Sequence, residues 1–178
     1  MHIIIDGYNL IRQSPSLKRF ERISLEQGRM ELIHRLAEYK RLRGHKITVV
    51  FDGWLDGSVQ EERQREKGIR IVYSRRGRTA DDVIKEMVSH SAEEILVVTS
   101  DRAVATAVGR RGTVAVSSPE FEARIQREME AAFFMTDTEL TGPEPDDEPV
   151  SPAGTQKKGP SRRMSKRKRL AKRKLKKL

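Results

Sequence analysis

Three aspartates stand where a short apolar run gives way to polar sequence, and a fourth opens a helical pattern. Asp6 closes the run in HIIIDGYNLI, residues 2 to 11; Asp52 follows VVF, Asp101 follows VVTS, and Asp81 lies in TADDVIKEM. The 178 residues include no cysteine, so disulfides and a thiol nucleophile are excluded and any metal must be held by oxygen or imidazole. An all-oxygen acidic set suits Mg²⁺ or Mn²⁺. Such ions serve phosphodiester hydrolysis, because they bridge an attacking water, a scissile phosphate and a leaving oxygen. The expected products are a 5′-phosphate and a 3′-hydroxyl. His2, His34, His45 and His90 start a strand or lie on or after helices, and none is placed as a general base.

Each aspartate also has a structural use. Asp101 stands just ahead of a helix and can cap it, and Asp52-Gly53 suits a turn. Gly7 would leave room for a ligand beside Asp6, and Asn9 adds an amide. Four carboxylates converging without cations would repel one another and raise each other's pKa values, which favours a shared ion over four separate caps.

The elements that must position them follow from periodicity. Residues 3–5, 47–51, 69–73, 95–99 and 113–116 are short, rich in β-branched residues, and mostly apolar on both faces. Helical patterns span Leu25 to Arg43, stopped by Gly44, then Thr79 to Ser89, Arg102 to Gly109 and Pro119 to about Phe133. Doubly apolar strands alternating with helices predict an α/β fold with a doubly wound, parallel, five-stranded sheet. In such sheets function gathers at the carboxyl ends of the strands, which is where Asp6, Asp52 and Asp101 fall. In the helix after the third strand, Ala80, Val83, Ile84, Met87 and Val88 form the buried face. Asp81 borders that face, whereas Asp82 points away and completes a capping box with Thr79.

The net charge of +10 is concentrated at the C-terminus: 13 Lys or Arg and no acid lie between Gln156 and Leu178. Residues 1–135 read as the folded domain, 136–160 as an acidic, Pro-rich disordered linker, and 161–178 as a basic tail. Arg162, Arg163, Lys166, Arg167, Lys168 and Arg169 begin a like-charge block suited to nucleic acid, supplying affinity without base choice. No apolar stretch approaches the roughly 18 residues that span a bilayer, and no secretory signal pattern precedes the first strand, so a cytoplasmic protein with no membrane partner is expected.

Taken together, IDGYNLI, GRMELIHRLAEYK, VVFDG, TADDVI, VVTSD and VSSPEF resemble the YacP-like branch of NYN domains, nucleases of the PIN-like fold. The resemblance covers residues 1 to about 130. It implies a metal-dependent endoribonuclease acting on single-stranded or locally unpaired RNA, with mRNA engaged on the ribosome as one candidate substrate; the tail lies outside the resemblance, and ribosomal RNA, the substrate itself and an acidic protein are its candidate partners. It carries Asp6, Asn9, Asp81 and Asp101 into the site with Asp52 beside them: the aspartates would hold Mg²⁺ or Mn²⁺, and Asn9 would orient a water or a phosphate oxygen. The family pattern has a second acid just after the isoleucine of the TADDVI helix, where this chain has Lys85 and then Glu86.

Two loops are expected to grip RNA. Residues 53–68 carry Trp54 for stacking on an unpaired base and Arg63, Arg65 and Lys67 for phosphates. Arg75, Arg76 and Arg78 immediately precede Asp81 and could clamp the backbone beside the metals. Arg29 matches an arginine of the family pattern, its structural use being an ion pair with Glu26 or Glu31. The rival function is a non-catalytic RNA or ribosome binder. An aspartyl-nucleophile phosphatase is weaker, since the acid it needs two residues after the first is Tyr8 here.

Overall fold

The structure, a computed structural model, describes residues 1–53 and 60–138. In chain order it contains β1 (His2–Asp6), α1 (Gly7–Gln13), α2 (Pro15–Glu21), α3 (Leu25–Arg43), β2 (Lys46–Phe51), β3 (Glu62–Glu66), β4 (Ile69–Tyr73), α4 (Ala80–Ser89), β5 (Ile95–Val98), α5 (Arg102–Arg110), β6 (Val114–Val116) and α6 (Ser118–Thr138). Trp54 and the linker and tail from 139 onward lie outside the described residues.

Both faces are covered around the central strands, which is why those strands carry no polar face. Ile3 and Ile5 pack into one core with α1, α2, α3 and α6, while Ile4 packs into a second core with α4 and α5. Full burial of one such side chain stabilises by roughly 1.5–3 kcal/mol. The sheet order is β3-β4-β2-β1-β5-β6, with every neighbouring pair parallel except β3 against β4. The chain winds outward from β1 to β2 and β4, then returns through α4 to place β5 on the other side of β1. Strand order therefore reverses between β1 and β5, and their carboxyl ends carry Asp6 and Asp101.

The five parallel strands and four long helices lie where the periodicity places them. Three features differ. A sixth strand, β3, is built from ERQRE, whose five residues are all exposed. It is a strand because β4 offers an unpaired edge, and its charges protect the new edge from further pairing. The two-turn helices α1 and α2 are too short for periodicity to reveal; their first turns are held by side-chain caps from Asp6 and Ser14. Finally, α6 continues to Thr138, so the helix extends past the expected domain boundary at 135.

Polar clamps fasten the helices around the first core. The Glu122 carboxylate of α6 accepts from Ser14 Oγ and, at 3.0 Å, from Ser16 Oγ, and Arg35 of α3 donates to Ser16 Oγ at 2.7 Å. Gly7 has a packing role in place of the expected ligand clearance. A Cβ there would lie 2.6 Å from Phe51 Cδ1 and 2.9 Å from Val49 Cγ1, so only glycine lets α1 turn so close to β2.

Candidate active site

The carboxyl edge of the sheet opens into a cleft of about 960 Å³ whose walls include Asp6, Asn9, Asp52, Asp81, Arg29 and Tyr73. Each carboxylate is positioned by a local device. Asp6 is the N-cap of α1: its Oδ1 accepts from Asn9 N at 3.2 Å, and its Oδ2 accepts from Thr99 Oγ1 at 3.3 Å. Asp101 is the N-cap of α5, its Oδ1 accepting from Ala103 N at 2.6 Å and Val104 N at 3.1 Å. Ser74 Oγ, buried at the end of β4, donates to Asp52 Oδ1 at 3.2 Å and accepts from Gly53 N at 3.0 Å. Asp81 sits in the first turn of α4, partly exposed, with Lys85 Nζ at 4.0 Å. Asp82 completes the capping box with Thr79 and faces solvent, as its helical angle requires.

Capping and convergence therefore coexist. The Asp6 carboxyl is pushed up from 3.8 to about 6, first by burial and then by the negative charges of Asp81 and Asp101, against the lowering effect of the Asn9 and Thr99 hydrogen bonds. Asp81 is also raised, by burial first, with Lys85 opposing and Asp101, Asp82 and Asp52 adding to the shift. Asp6 thus feels the charges of Asp81 and Asp101, and Asp81 those of Asp101 and Asp52, although Asp101 itself stands outside the walls of the cleft. Among the described residues no three His, Cys, Asp or Glu side chains stand close enough to form a ready-made metal cluster. The donor set nevertheless fits Mg²⁺, which keeps several waters and binds through one or two carboxylates together with substrate phosphates.

Asn9 holds the site together. Its Oδ1 accepts from Ser100 N at 2.9 Å and from Ser118 Oγ at 2.8 Å, tying α1 to the β5–α5 loop and the start of α6. That leaves its amide nitrogen as the group available to a ligand.

The expected basic contacts divide. Arg29 faces the cleft: Nη1 donates to Tyr8 OH at 3.2 Å, and its guanidinium lies 5.6 Å from the Tyr73 ring centroid. The ion pair considered for it with Glu31 goes instead to Arg35, at 2.8 Å. Arg78 is held between Glu86 and Glu61, which gives Glu86 a partner outside the acidic set. Arg75 and Arg76 are exposed in the turn before α4. Arg63 and Arg65 are displaced by strand alternation: Glu62 and Gln64 of β3 line the cleft, and the arginines project from the opposite face. Arg63 pairs with Glu61 at 2.8 Å, and Arg65 stands opposite Arg70, far down β4 from the acidic edge.

Two aromatic residues escaped the sequence reading. Tyr8 packs edge-on to Phe51 with centroids 5.1 Å apart, Phe51 stacks on Tyr73 at 5.7 Å, and Arg12 stands 5.4 Å from the Tyr8 centroid. Burial raises the Tyr73 phenol above its ordinary pKa of 10.0, with Arg29 opposing. Their signal was positional: Tyr8 lies within the DGYN motif and Tyr73 is the last residue of a strand that points at the site.

Comparison with known proteins agrees with this fold. The chain is 31% identical over 135 residues to the uncharacterized protein YacP of Bacillus subtilis (strain 168), covering 70% of this chain and 79% of that one. The crystal structure of Rae1 (YacP) from Bacillus subtilis superposes with a TM-score of 0.66 at 25% identity, covering 79% of this chain and 82% of that one. A point mutant of the same protein gives 0.65 at 25% identity, covering 78% and 83%. The model of the YacP-like NYN domain matches residues 3–178. With acidic strand ends, fold and sequence in agreement, the chain belongs to the YacP-like NYN domain family, a branch of the PIN-like nucleases.

Proposed function

We propose that the protein is a divalent-metal-dependent endoribonuclease that hydrolyses phosphodiester bonds in single-stranded or locally unpaired RNA, with mRNA engaged on the ribosome as the substrate to test first. The observation that carries this reading is the cleft at the strand-order reversal, with Asp6, Asp52 and Asp81 in its walls and the charge of Asp101 acting on both Asp6 and Asp81. A polyanion binder gains nothing from carboxylates turned toward its ligand, whereas a site that shares cations with a phosphate needs them.

Asp6, Asp81 and Asp101 would hold Mg²⁺ or Mn²⁺ directly or through its waters, with Asp52 beside them. When bound, the ion supplies Lewis-acid stabilisation of the phosphate and lowers the pKa of water for in-line attack. Thr99 and Ser74 orient the Asp6 and Asp52 carboxylates, and Asn9 fixes the loops that carry Asp101. Arg29 presents a cation to the phosphodiester backbone, held in the cleft by the Tyr8 hydroxyl and the Tyr73 ring. Arg75 and Arg76 extend the basic rim. The tail, from Arg162 onward, adds sequence-independent affinity for RNA, ribosomal RNA included.

The non-catalytic alternative draws on one observation, that Asp6 and Asp101 already cap helices. Labelled RNA incubated with the purified full chain separates the two. The nuclease cuts internally with Mg²⁺ or Mn²⁺, not in EDTA, and Asp6→Asn or Asp101→Asn abolishes cutting. Binding without cutting, unchanged in those variants, would establish the binder.

A further inference from the structure

At the opposite end of the same strands lies a second groove, of about 190 Å³, lined by Lys40, His45, Lys46, Arg65, Gly68 and Arg70 among others, with no acidic residue in its walls. We propose that this groove binds the phosphate backbone of RNA as an anchoring surface separate from the cleft, a proposal that rests on RNA being the substrate.

Three observations support it. The β3–β4 register sets Arg65 directly opposite Arg70, and like charges facing each other across an antiparallel pair destabilise the sheet. Neither arginine has an ion pair with any described residue, unlike Arg12, Arg35, Arg43, Arg63 and Arg78, each of which meets a glutamate. An anion seated between them would relieve that repulsion. Second, Lys40 Nζ is fixed at the groove by donating to Gly68 O at 2.6 Å, while Lys46 is neutralised by Glu93 at 2.7 Å, so the groove keeps an excess of three cations. Third, the local field registers on His2: burial first and Lys46 next, with Arg70 adding, lower its pKa to about 4 against Glu93.

The groove has no aromatic lining, so it suits backbone phosphates and not base reading. It stands at the amino end of β4, where Arg70 lies three residues before Tyr73 of the cleft wall, roughly 10 Å at about 3.3 Å per strand residue. A single RNA can engage both.

The test uses the isotopically labelled full chain in EDTA, where no cutting occurs. Arg65 and Arg70 side-chain N–H resonances are followed by NMR during titration with a short single-stranded RNA and, separately, with inorganic phosphate. RNA should shift both saturably at a phosphate concentration at least tenfold below that needed with inorganic phosphate. The Arg65→Gln/Arg70→Gln double variant should lower the slope of log K against log salt for RNA by about 1.4, at 0.7 per contact. Unmoved groove resonances, an unchanged slope, or equal response to both anions would overturn the proposal, the last by making the groove a free-anion site. Groove shifts from a chain that never cuts RNA would uphold RNA binding here while removing the nuclease reading.

Discussion

The two ends of one parallel sheet are electrostatic opposites. At the carboxyl ends of β1, β2 and β5 stand Asp6, Asp52 and Asp101; at the amino ends of β2 and β4 stand Lys46 and Arg70, with Lys40 and Arg65 beside them. Each end has an excess of one sign, yet the two reach it by different means. The acidic end is built from helix caps: the backbone N–H groups that Asp6 and Asp101 accept offset the cost of bringing carboxylates together. The basic end has only the Lys46–Glu93 pair as compensation, and its other charges stand on three elements, Lys40 on α3, Arg65 on the edge strand β3 and Arg70 on β4. An acidic cluster that must keep its geometry is fixed by backbone, whereas a surface that follows a flexible polyanion is left to long side chains.

This contrast can be broken most severely at the acidic end. Asp81→Asn removes a partly exposed carboxylate that caps nothing, so the fold should persist while Mg²⁺-dependent cutting falls about 1000-fold, equivalent to ~4 kcal/mol of transition-state stabilisation. Single-turnover kinetics with thermal unfolding as control checks this; an active variant would leave the acidic end purely structural.

Asp6→Asn should trade function for stability. Because the folded pKa of Asp6 is raised from 3.8 to about 6, the folded state binds this proton more tightly than the unfolded chain does. Its contribution to stability is fully present below pH 3.8 and is lost as pH rises through 6. In metal-free protein at pH 8, asparagine should therefore be more stable by about 3 kcal/mol, and the difference should vanish near pH 3.5. Urea unfolding at the two pH values measures it. A pH-independent difference would mean that neither burial nor the neighbouring carboxylates raise the Asp6 pKa.

Gly7→Ala probes the backbone that fixes the acidic end. Forcing a methyl against Phe51 and Val49 should cost about 1–3 kcal/mol and displace α1 with its Asp6 cap, so stability and cutting should fall together. Retained activity with lost stability would show that α1 tolerates movement. The smallest effect is expected at the basic end, where Arg70→Gln removes one member of the facing pair. It should leave stability unchanged or raise it by about 0.2–1 kcal/mol, less so at high salt. A clear loss would show that Arg70 has a stabilising partner and would weaken the comparison.

The sequence by itself determined the alternation of doubly apolar strands with helices, and hence that Asp6, Asp52 and Asp101 share one edge: period and burial are local properties that survive without coordinates. It also determined that Asp82 caps α4, because a capping box is complete within four residues. Only the tertiary structure decided that Asn9 spans to Ser100 and Ser118, that Gly7 clears Phe51, that Glu86 belongs to Arg78, and that Tyr8 and Tyr73 meet around Arg29. The last three residues of that account lie far apart in the chain, and nothing in their local sequence marks them as neighbours. Arg65 is the clearest case. In sequence it sits on the loop that leaves Asp52, but pairing with β4 makes ERQRE a strand, and strand alternation and direction then carry Arg65 to the opposite face and toward the far end of the sheet.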